Sequence, residues 1–376
     1  MTFDLSHAPH HSAHHNAEWW RSAVIYQVYP RSFADSNGDG IGDLPGITSR
    51  LDALASLGID AVWLSPFMRS PQKDAGYDVS DYTDVDPLFG TLADFDAMVT
   101  RAHELKLRVL IDLVPNHTSD KHQWFQDALN EIEGSAEREF YHFKDGRGEN
   151  GELPPNNWLS LFGGPAWTRI TNADGTPGQW YLHLFDSSQP DLNWANPDVV
   201  VEFADLMLHL ANKGVDCLRL DAIAFLWKRL GTNCQNEPEV HAITQALRAF
   251  AHIVAPSLIF KAEAIVGPAQ VGAYLGEGKH AGKVSDLAYH NSLMVQIWSA
   301  IASKDTALLE LTMSRFKAIP TTSAWGVYLR CHDDIGWAID DSDAHRVGLN
   351  GHNHRMFLAD YFTGKFYGSE ARGVDF

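Results

Sequence analysis

From Trp20 onward, β-rich apolar runs alternate with amphipathic stretches long enough to be helices, and this alternation limits the chain to few folds. Strands separated by helix-length segments do not pair as hairpins; they lie parallel and are joined by crossover helices. The strand candidates are Val24–Tyr29, Ala61–Pro66, Val109–Val114, Cys217–Ala222, Leu258–Ala264, Val284–Tyr289 and Trp325–Cys331. Between them, Ile47–Leu57, Leu92–Leu105, Val199–Ala211, Val240–Ala255 and Leu293–Ala302 carry apolar residues at spacings of three and four, the period of a helix with one buried face. Eight such units close a (β/α)8 TIM barrel, whose active site lies on loops at the carboxyl ends of the strands. Seven are visible here. A helix-like segment, His354–Phe362, follows, and the chain reaches Phe376 without an eighth strand or a C-terminal β domain. The expectation is a truncated chain whose two unpaired strand edges favour aggregation or pairing with another chain.

The rhythm fails between His117 and Asn196, where GENGELPPNNW, FGGPAWT and NADGTPGQWY are rich in Gly, Pro, Asn and Trp. This reads as a domain inserted after the third strand. The resulting division is a disordered His-rich tail over 1–18, barrel segments over 19–116 and 197–334, the insertion over 117–196, and a loop or subdomain over 335–376. His7, His10, His11, His14 and His15 have a spacing that could capture a metal, but such tracts without a packed scaffold read as tails.

Composition narrows the class of function. Hydrophobic residues make up 45% and charged residues 20%, enough for a real core. Lys and Arg number 29 against 48 Asp and Glu, a formal balance of −19, which argues against nucleic acid and anionic membrane as partners. No secretory signal or membrane-spanning run is visible, so the cytoplasm is the expected location. Cys217, Cys234 and Cys331 cannot all pair and have neither metal-cluster nor dithiol spacing, which fits a reducing compartment.

Charged residues sit where barrel strands end. The third strand closes in IDLVPNH, with Asp112, Asn116 and His117; the fourth in CLRLDA, with Arg219 and Asp221 on one strand face; the fifth reaches Glu263; the seventh leads to His332, Asp333 and Asp334. Burying such groups is costly without a reason, and on a barrel these ends converge on one mouth. The result is an acid/base site with at least three carboxylates. Paired carboxylates are what glycoside hydrolysis uses, one as nucleophile and one as proton donor and then base. Separately, Asp35, Asn37, Asp39, Ile41 and Asp43 alternate oxygen donors with glycines in a short loop. That spacing resembles the first half of an EF-hand and suits a structural Ca2+, although Gly46 stands where the twelfth-position Glu would be.

These residues resemble the α-amylase family (glycoside hydrolase family 13) of retaining hydrolases and transglucosidases. Its ordered motifs are present as DLVPNH at 112–117, QPDLN at 189–193, GVDCLRLDA at 214–222, the Glu263 segment, and HDD at 332–334. The resemblance covers essentially Trp19 to Phe376 and implies a catalytic barrel with a B domain after the third strand. It implies that Asp221 is the nucleophile steadied by Arg219, that Glu263 is the general acid/base, and that Asp333 grips the sugar hydroxyls together with His117 and His332. In KDAGYDVSDY, Asp74 would floor a glucose pocket and Tyr77 would stack on the sugar; the Arg that pairs with such an Asp in relatives is not assignable here. Ala222 in place of the Val of many α-1,6-cleaving relatives leans toward α-1,4 or α-1,2 linkages.

The N-terminal part resembles α-glucosidases and trehalose-synthase-like members, whereas GVDCLRLDAIAFLWKRLGTNCQN and HDDIGWAIDD resemble amylosucrase, in which Asp334 and Arg355 would border an acceptor subsite. Trp158, Phe162, Trp167, Trp194 and Trp227 are candidates for a sugar-binding rim, some of them serving the packing of the insertion instead. The expected activity is an exo-acting α-glucoside hydrolase or transglucosidase on maltose, sucrose or malto-oligosaccharides, without an organic cofactor. The alternatives are an amylosucrase-type glucosyltransferase, a trehalose-synthase-like isomerase, or a catalytically silent barrel that works as a binding module. A phosphosugar is disfavoured because no basic cluster is visible in the loops.

Overall fold

Strands Ala61–Leu64 and Cys217–Leu220 bury every residue, as apolar runs without alternation do when both faces of a parallel sheet are covered. The computed structural model containing them describes residues 18–172, 174–332 and 336–374. The predicted His-rich tail, with His7, His10, His11, His14 and His15, lies outside the described residues, as do Asp333 and Asp334. The chain divides into two units, Met1–Lys261 and Ala262–Phe376.

In the first unit, Ile25–Val28, Ala61–Leu64, Arg108–Leu113 and Cys217–Leu220 pair side by side in chain order, all parallel. The register sets Asp112 beside Arg219. The three long helices between them each start on a local cap. Asp43 accepts from the Gly46 amide at 2.6 Å and opens Leu44–Ser56 three residues before the expected start; Thr91 and Asp94 cap each other reciprocally at Leu92–Glu104; Asn196 caps Pro197–Asn212. At the amino-terminal ends of the strands, the buried Asp216 accepts from Arg108 at 2.7 Å and from the Val109 amide at 2.9 Å, with His103 at 2.9 Å. Burial opposes ionisation there, yet these partners hold the carboxyl below its usual range.

The stretch 117–196 carries its own small architecture. Phe143–Lys144, Pro177–Leu182 and Trp167–Thr171 form an antiparallel sheet with Pro177–Leu182 in the middle. A helix not anticipated from sequence, Gln123–Asn130, packs Phe125 against Tyr141, Phe143 and Tyr181 at ring-centroid distances of 5.0 to 6.0 Å.

The second unit contains a parallel pair, Leu287–Tyr289 and Ala324–Gly326. The seventh strand is therefore shorter than the expected Trp325–Cys331. Beyond Gly326, Tyr328 donates to Asn291 at 2.9 Å, and Trp298 donates to the Leu329 carbonyl at 2.8 Å, both partners lying on the helix Asn291–Ser303. Val327 and Leu329 are more than half exposed. Helices Asn291–Ser303, Ala307–Ser314, Asp341–Arg346 and Gly351–Phe362 share a core built on Val295, Leu308, Ala344 and Leu358. Seven strands of the barrel type fall among the described residues, and no eighth.

Candidate active site

Asp112 and Arg219 face each other because they are register partners at the ends of adjacent strands, and Asp221 follows two residues later on the same face. Arg219 is fully buried. Its Nη1 donates to Asp112, to Asp221 Oδ1 at 2.7 Å, and at the limit of reach, 3.5 Å, to the Tyr77 hydroxyl. Trp63 Nε1 holds the other Asp112 oxygen at 2.8 Å, and the guanidinium lies 5.2 Å from the Trp63 ring centroid. One cation thus serves an enclosed carboxylate, Asp112, and one that retains 14% side-chain exposure, Asp221. The Asp221 amide still donates to the Leu113 carbonyl, but Ala222 turns left-handed at φ 49°. This is an unfavourable conformation for a residue with a Cβ, and it leaves Asp221 on a sharp corner at the strand end.

Asp74 and Tyr77 sit on a loop clamped from below. The fully buried Asp78 accepts from Ser70 Oγ and from the amides of Lys73 and Asp74 at 2.9 to 3.0 Å. The turn needs Gly76, whose φ is 105° and whose missing Cβ would stand 3.0 Å from Pro66. Gln189, from the QPDLN segment, donates to Asp74 Oδ2 at 2.8 Å and lies 3.1 Å from His117 Nε2. His117 packs on Phe185 at 5.1 Å. Burial and then the nearby Lys228 charge push its imidazole down to about 3, so it is neutral at ordinary pH.

Sequence reasoning gave no role to Lys228, seven residues past Asp221. Its ammonium is buried and bonds Asp191 at 2.8 Å, Asn116 at 2.7 Å and the Phe225 carbonyl. Asp191 and Asn116 are themselves buried. The only sequence signal was a lysine within the aromatic run FLWK, which says nothing of its partner. Of the five aromatic rim candidates, Trp158, Trp167 and Trp194 are packing groups. Trp158 and Trp167 stack at 6.1 Å with their ring N–H groups on Thr232 and Asn156, and Trp194 donates to Pro115 at 2.7 Å. Phe162 is 61% exposed and Trp227 half-buried.

In the second unit Glu263 follows the fifth strand, Ile259–Ala262, and is 8% exposed. Burial and the nearby Glu263 charge raise the Tyr274 hydroxyl above its usual range. His332 is half-buried. Arg355, on the helix Gly351–Phe362, donates to Asp341 at 2.8 Å and to the Ile339 carbonyl at 2.9 Å, a bonding pattern that ties down the 339–341 segment.

The loop 35–43 closes on itself. Asp35 accepts from the amides of Asn37, Gly38 and Gly40, Asn37 from Asp39, and Asp39 from Ile41. These amides lower the Asp35 carboxyl. Side-chain oxygens of Asp35, Asn37 and Asp39 with the Ile41 carbonyl are hard donors that fit calcium, which takes about six to eight oxygens and accepts water among them. Asp43 does not share in that set: it bonds Ser36 with one oxygen and caps the following helix with the other. Among the described residues no three His, Cys, Asp or Glu side chains converge as a ready metal cluster.

The family model described as "Alpha amylase, catalytic domain" matches residues 27–348. The chain belongs to that family, and its fold class is the (β/α)8 barrel. Among curated relatives it is 54% identical over 208 residues to the "Probable alpha-glucosidase" of Rhizobium meliloti, covering 55% of this chain and 36% of that one. It is 37% identical over 327 residues to the "Trehalose synthase/amylase TreS" of Mycolicibacterium smegmatis, covering 85% and 53%. Among solved structures it resembles the trehalulose synthase MutB from Pseudomonas mesoacidophila, with 36% identity, TM-score 0.68, and coverage of 74% and 51%. The chain thus spans about a third to a half of the length of these relatives. Among the described residues no helix is long and apolar enough to cross a membrane.

Proposed function

We propose that this chain carries the catalytic residues of a retaining, exo-acting α-glucoside hydrolase or transglucosidase acting on small neutral sugars in the cytoplasm. The observation that carries the reading is the Arg219–Asp221 pair, a partly exposed carboxylate fixed at a strand end by a buried guanidinium. In the reaction, a carboxylate oxygen of Asp221 attacks the anomeric carbon while Glu263 gives its proton to the departing glycosidic oxygen. A covalent glucosyl ester on Asp221 results. Glu263, now ionised, takes a proton from water or from a sugar hydroxyl as that oxygen attacks the same carbon, releasing the sugar and restoring both groups.

His117 and Tyr77 would contact the glucose bound in this way, with Asp74 bonding its far hydroxyls. Asp333 and His332 would grip the hydroxyls at the reacting end, and Asp334 and Arg355 would border the acceptor. Similarity to the α-glucosidase and TreS relatives favours hydrolysis or isomerisation of an α-glucoside over the amylosucrase-type transfer. Calcium on Asp35, Asn37, Asp39 and Ile41 would stiffen the first loop without entering the chemistry.

The test is incubation of the chain and its Asp221→Asn variant with maltose, sucrose and trehalose, following products by chromatography. Glucose from maltose, absent with the variant, supports the glucosidase reading. Interconversion of maltose and trehalose moves it to an isomerase, and fructose with longer glucans from sucrose to a sucrose-dependent transferase. A folded, inactive chain favours a binding module, and activity surviving in Asp221→Asn overturns the assigned nucleophile.

A further inference from the structure

Glu263 stands just past the last ladder residue of its strand, Ala262, in a stretch without regular structure that runs to Gly267. What holds the next residue is a side chain. Asn291, first in the helix Asn291–Ser303 and 7% exposed, donates from Nδ2 to the Ala264 carbonyl at 3.2 Å, while its Oδ1 accepts from the Tyr328 hydroxyl at 2.9 Å. That second bond orients the amide, because a phenol that donates requires the oxygen end to face it. The same Ala264 carbonyl accepts from the Val266 amide at 3.1 Å, closing a tight turn directly after Glu263. Tyr328 is itself seated edge-on against Tyr289, with centroids 5.0 Å apart.

We propose that Asn291, oriented by Tyr328, is a positioning residue for the Glu263 carboxyl, acting through the Ala264 carbonyl; this rests on the glucosidase reading above. A proton donor works only when its oxygen is held within hydrogen-bond reach of the leaving oxygen, and a displacement of about 1 Å costs on the order of 100-fold. Asn291 touches no substrate in this arrangement. Its loss selectively weakens the step that needs a proton.

The experiment measures kcat/KM of the unsubstituted chain, Asn291→Leu and Tyr328→Phe with maltose, whose departing alkoxide needs protonation, and with α-glucosyl fluoride, whose fluoride leaves as an anion without it. Asn291→Leu should lose about 10- to 100-fold on maltose and less than about 3-fold on the fluoride, with the alkaline limb of its maltose pH profile displaced. Tyr328→Phe keeps the ring and should move the same way by a smaller factor, so it carries the test if Asn291→Leu fails to fold. Equal losses on both donors, or none on maltose, overturn the inference alone. Silence of the unsubstituted chain on both donors overturns the glucosidase reading, and this inference with it.

Discussion

Arg219 Nη1 donates at once to Asp112 and to Asp221, the latter at 2.7 Å, from a position with no solvent exposure. A single cation between two carboxylates makes the three groups interdependent, and the two ends of the triad should respond differently to substitution. Asp221→Asn should lower turnover by at least about 1,000-fold while leaving the unfolding midpoint close to that of the parent, since a neutral amide still accepts from the guanidinium. Arg219→Met strands the buried Asp112 charge and should cost about 3 to 5 kcal/mol in urea unfolding. A stable Arg219→Met protein would show that the triad is not the support described here.

Acid should weaken the fold through buried histidines. His122 is pushed down to about 4, chiefly by burial and despite the opposing charges of Asp81 and Asp127. Its Nδ1 lone pair caps the helix Gln123–Asn130 through the Trp124 amide at 3.1 Å. The folded state thus binds a proton less readily than the unfolded chain, whose histidines titrate near 6.5, so stability is full above that value and falls as pH drops from about 6.5 toward 4. The loss from this residue is about 3 kcal/mol at most. His122→Asn preserves a cap without a titrating ring, and its melting temperature measured from pH 7 to pH 4 should fall less steeply than the parent's.

The Lys228–Asp191 pair makes a prediction about additivity. Lys228→Met leaves the buried Asp191 uncompensated and should cost about 3 to 5 kcal/mol, whereas Lys228→Met combined with Asp191→Leu removes both charges and should cost less than Lys228→Met alone. Urea midpoints of the single and double variants decide this. Additive losses would mean that the two side chains do not depend on each other.

Calcium binding at residues 35–41 should appear as a rise in melting temperature with added Ca2+, reaching about 2.7 kcal/mol of stabilisation at a hundred times the dissociation constant. Asp39→Ala should abolish the rise. Asp43→Ala should instead lower stability by about 1 kcal/mol with or without calcium, because what it removes is a helix cap. A melting temperature indifferent to calcium would overturn the metal proposal.

The strand ends and their charges were legible in sequence because a carboxylate or guanidinium inside a barrel strand contradicts its surroundings; Arg219 and Asp221 announced themselves in that way. The supports behind them did not. Gln189, Lys228 and Asn291 reach partners up to 115, 112 and 37 residues away, contacts that no local period encodes, although the bond of Lys228 to the Phe225 carbonyl is local. The expected seventh strand is too long because Val327 and Leu329 continue an apolar alternation, whereas the partner strand ends at Tyr289 and gives way to the helix Asn291–Ser303, so the ladder stops at Gly326. The helix Gln123–Asn130 buries Phe125 and Ala128 three residues apart, but with eight residues it is too short for that period to stand out within the irregular stretch 117–196.

The loop that leaves Asp221 grips the insertion twice, through Lys228 on Asp191 and through Cys234, which is buried against Ala166, Trp167, Leu182 and Leu184. Loop and insertion therefore form one unit of exchange. A chimaera that imports the insertion of a relative while keeping residues 222–237 of this chain would inherit a lysine and a cysteine cut for another socket, whereas moving both segments together carries the interlock intact. In this protein the boundary of a transplantable module is drawn by contacts, and it crosses the fourth strand to include a stretch that sequence numbering assigns to the barrel.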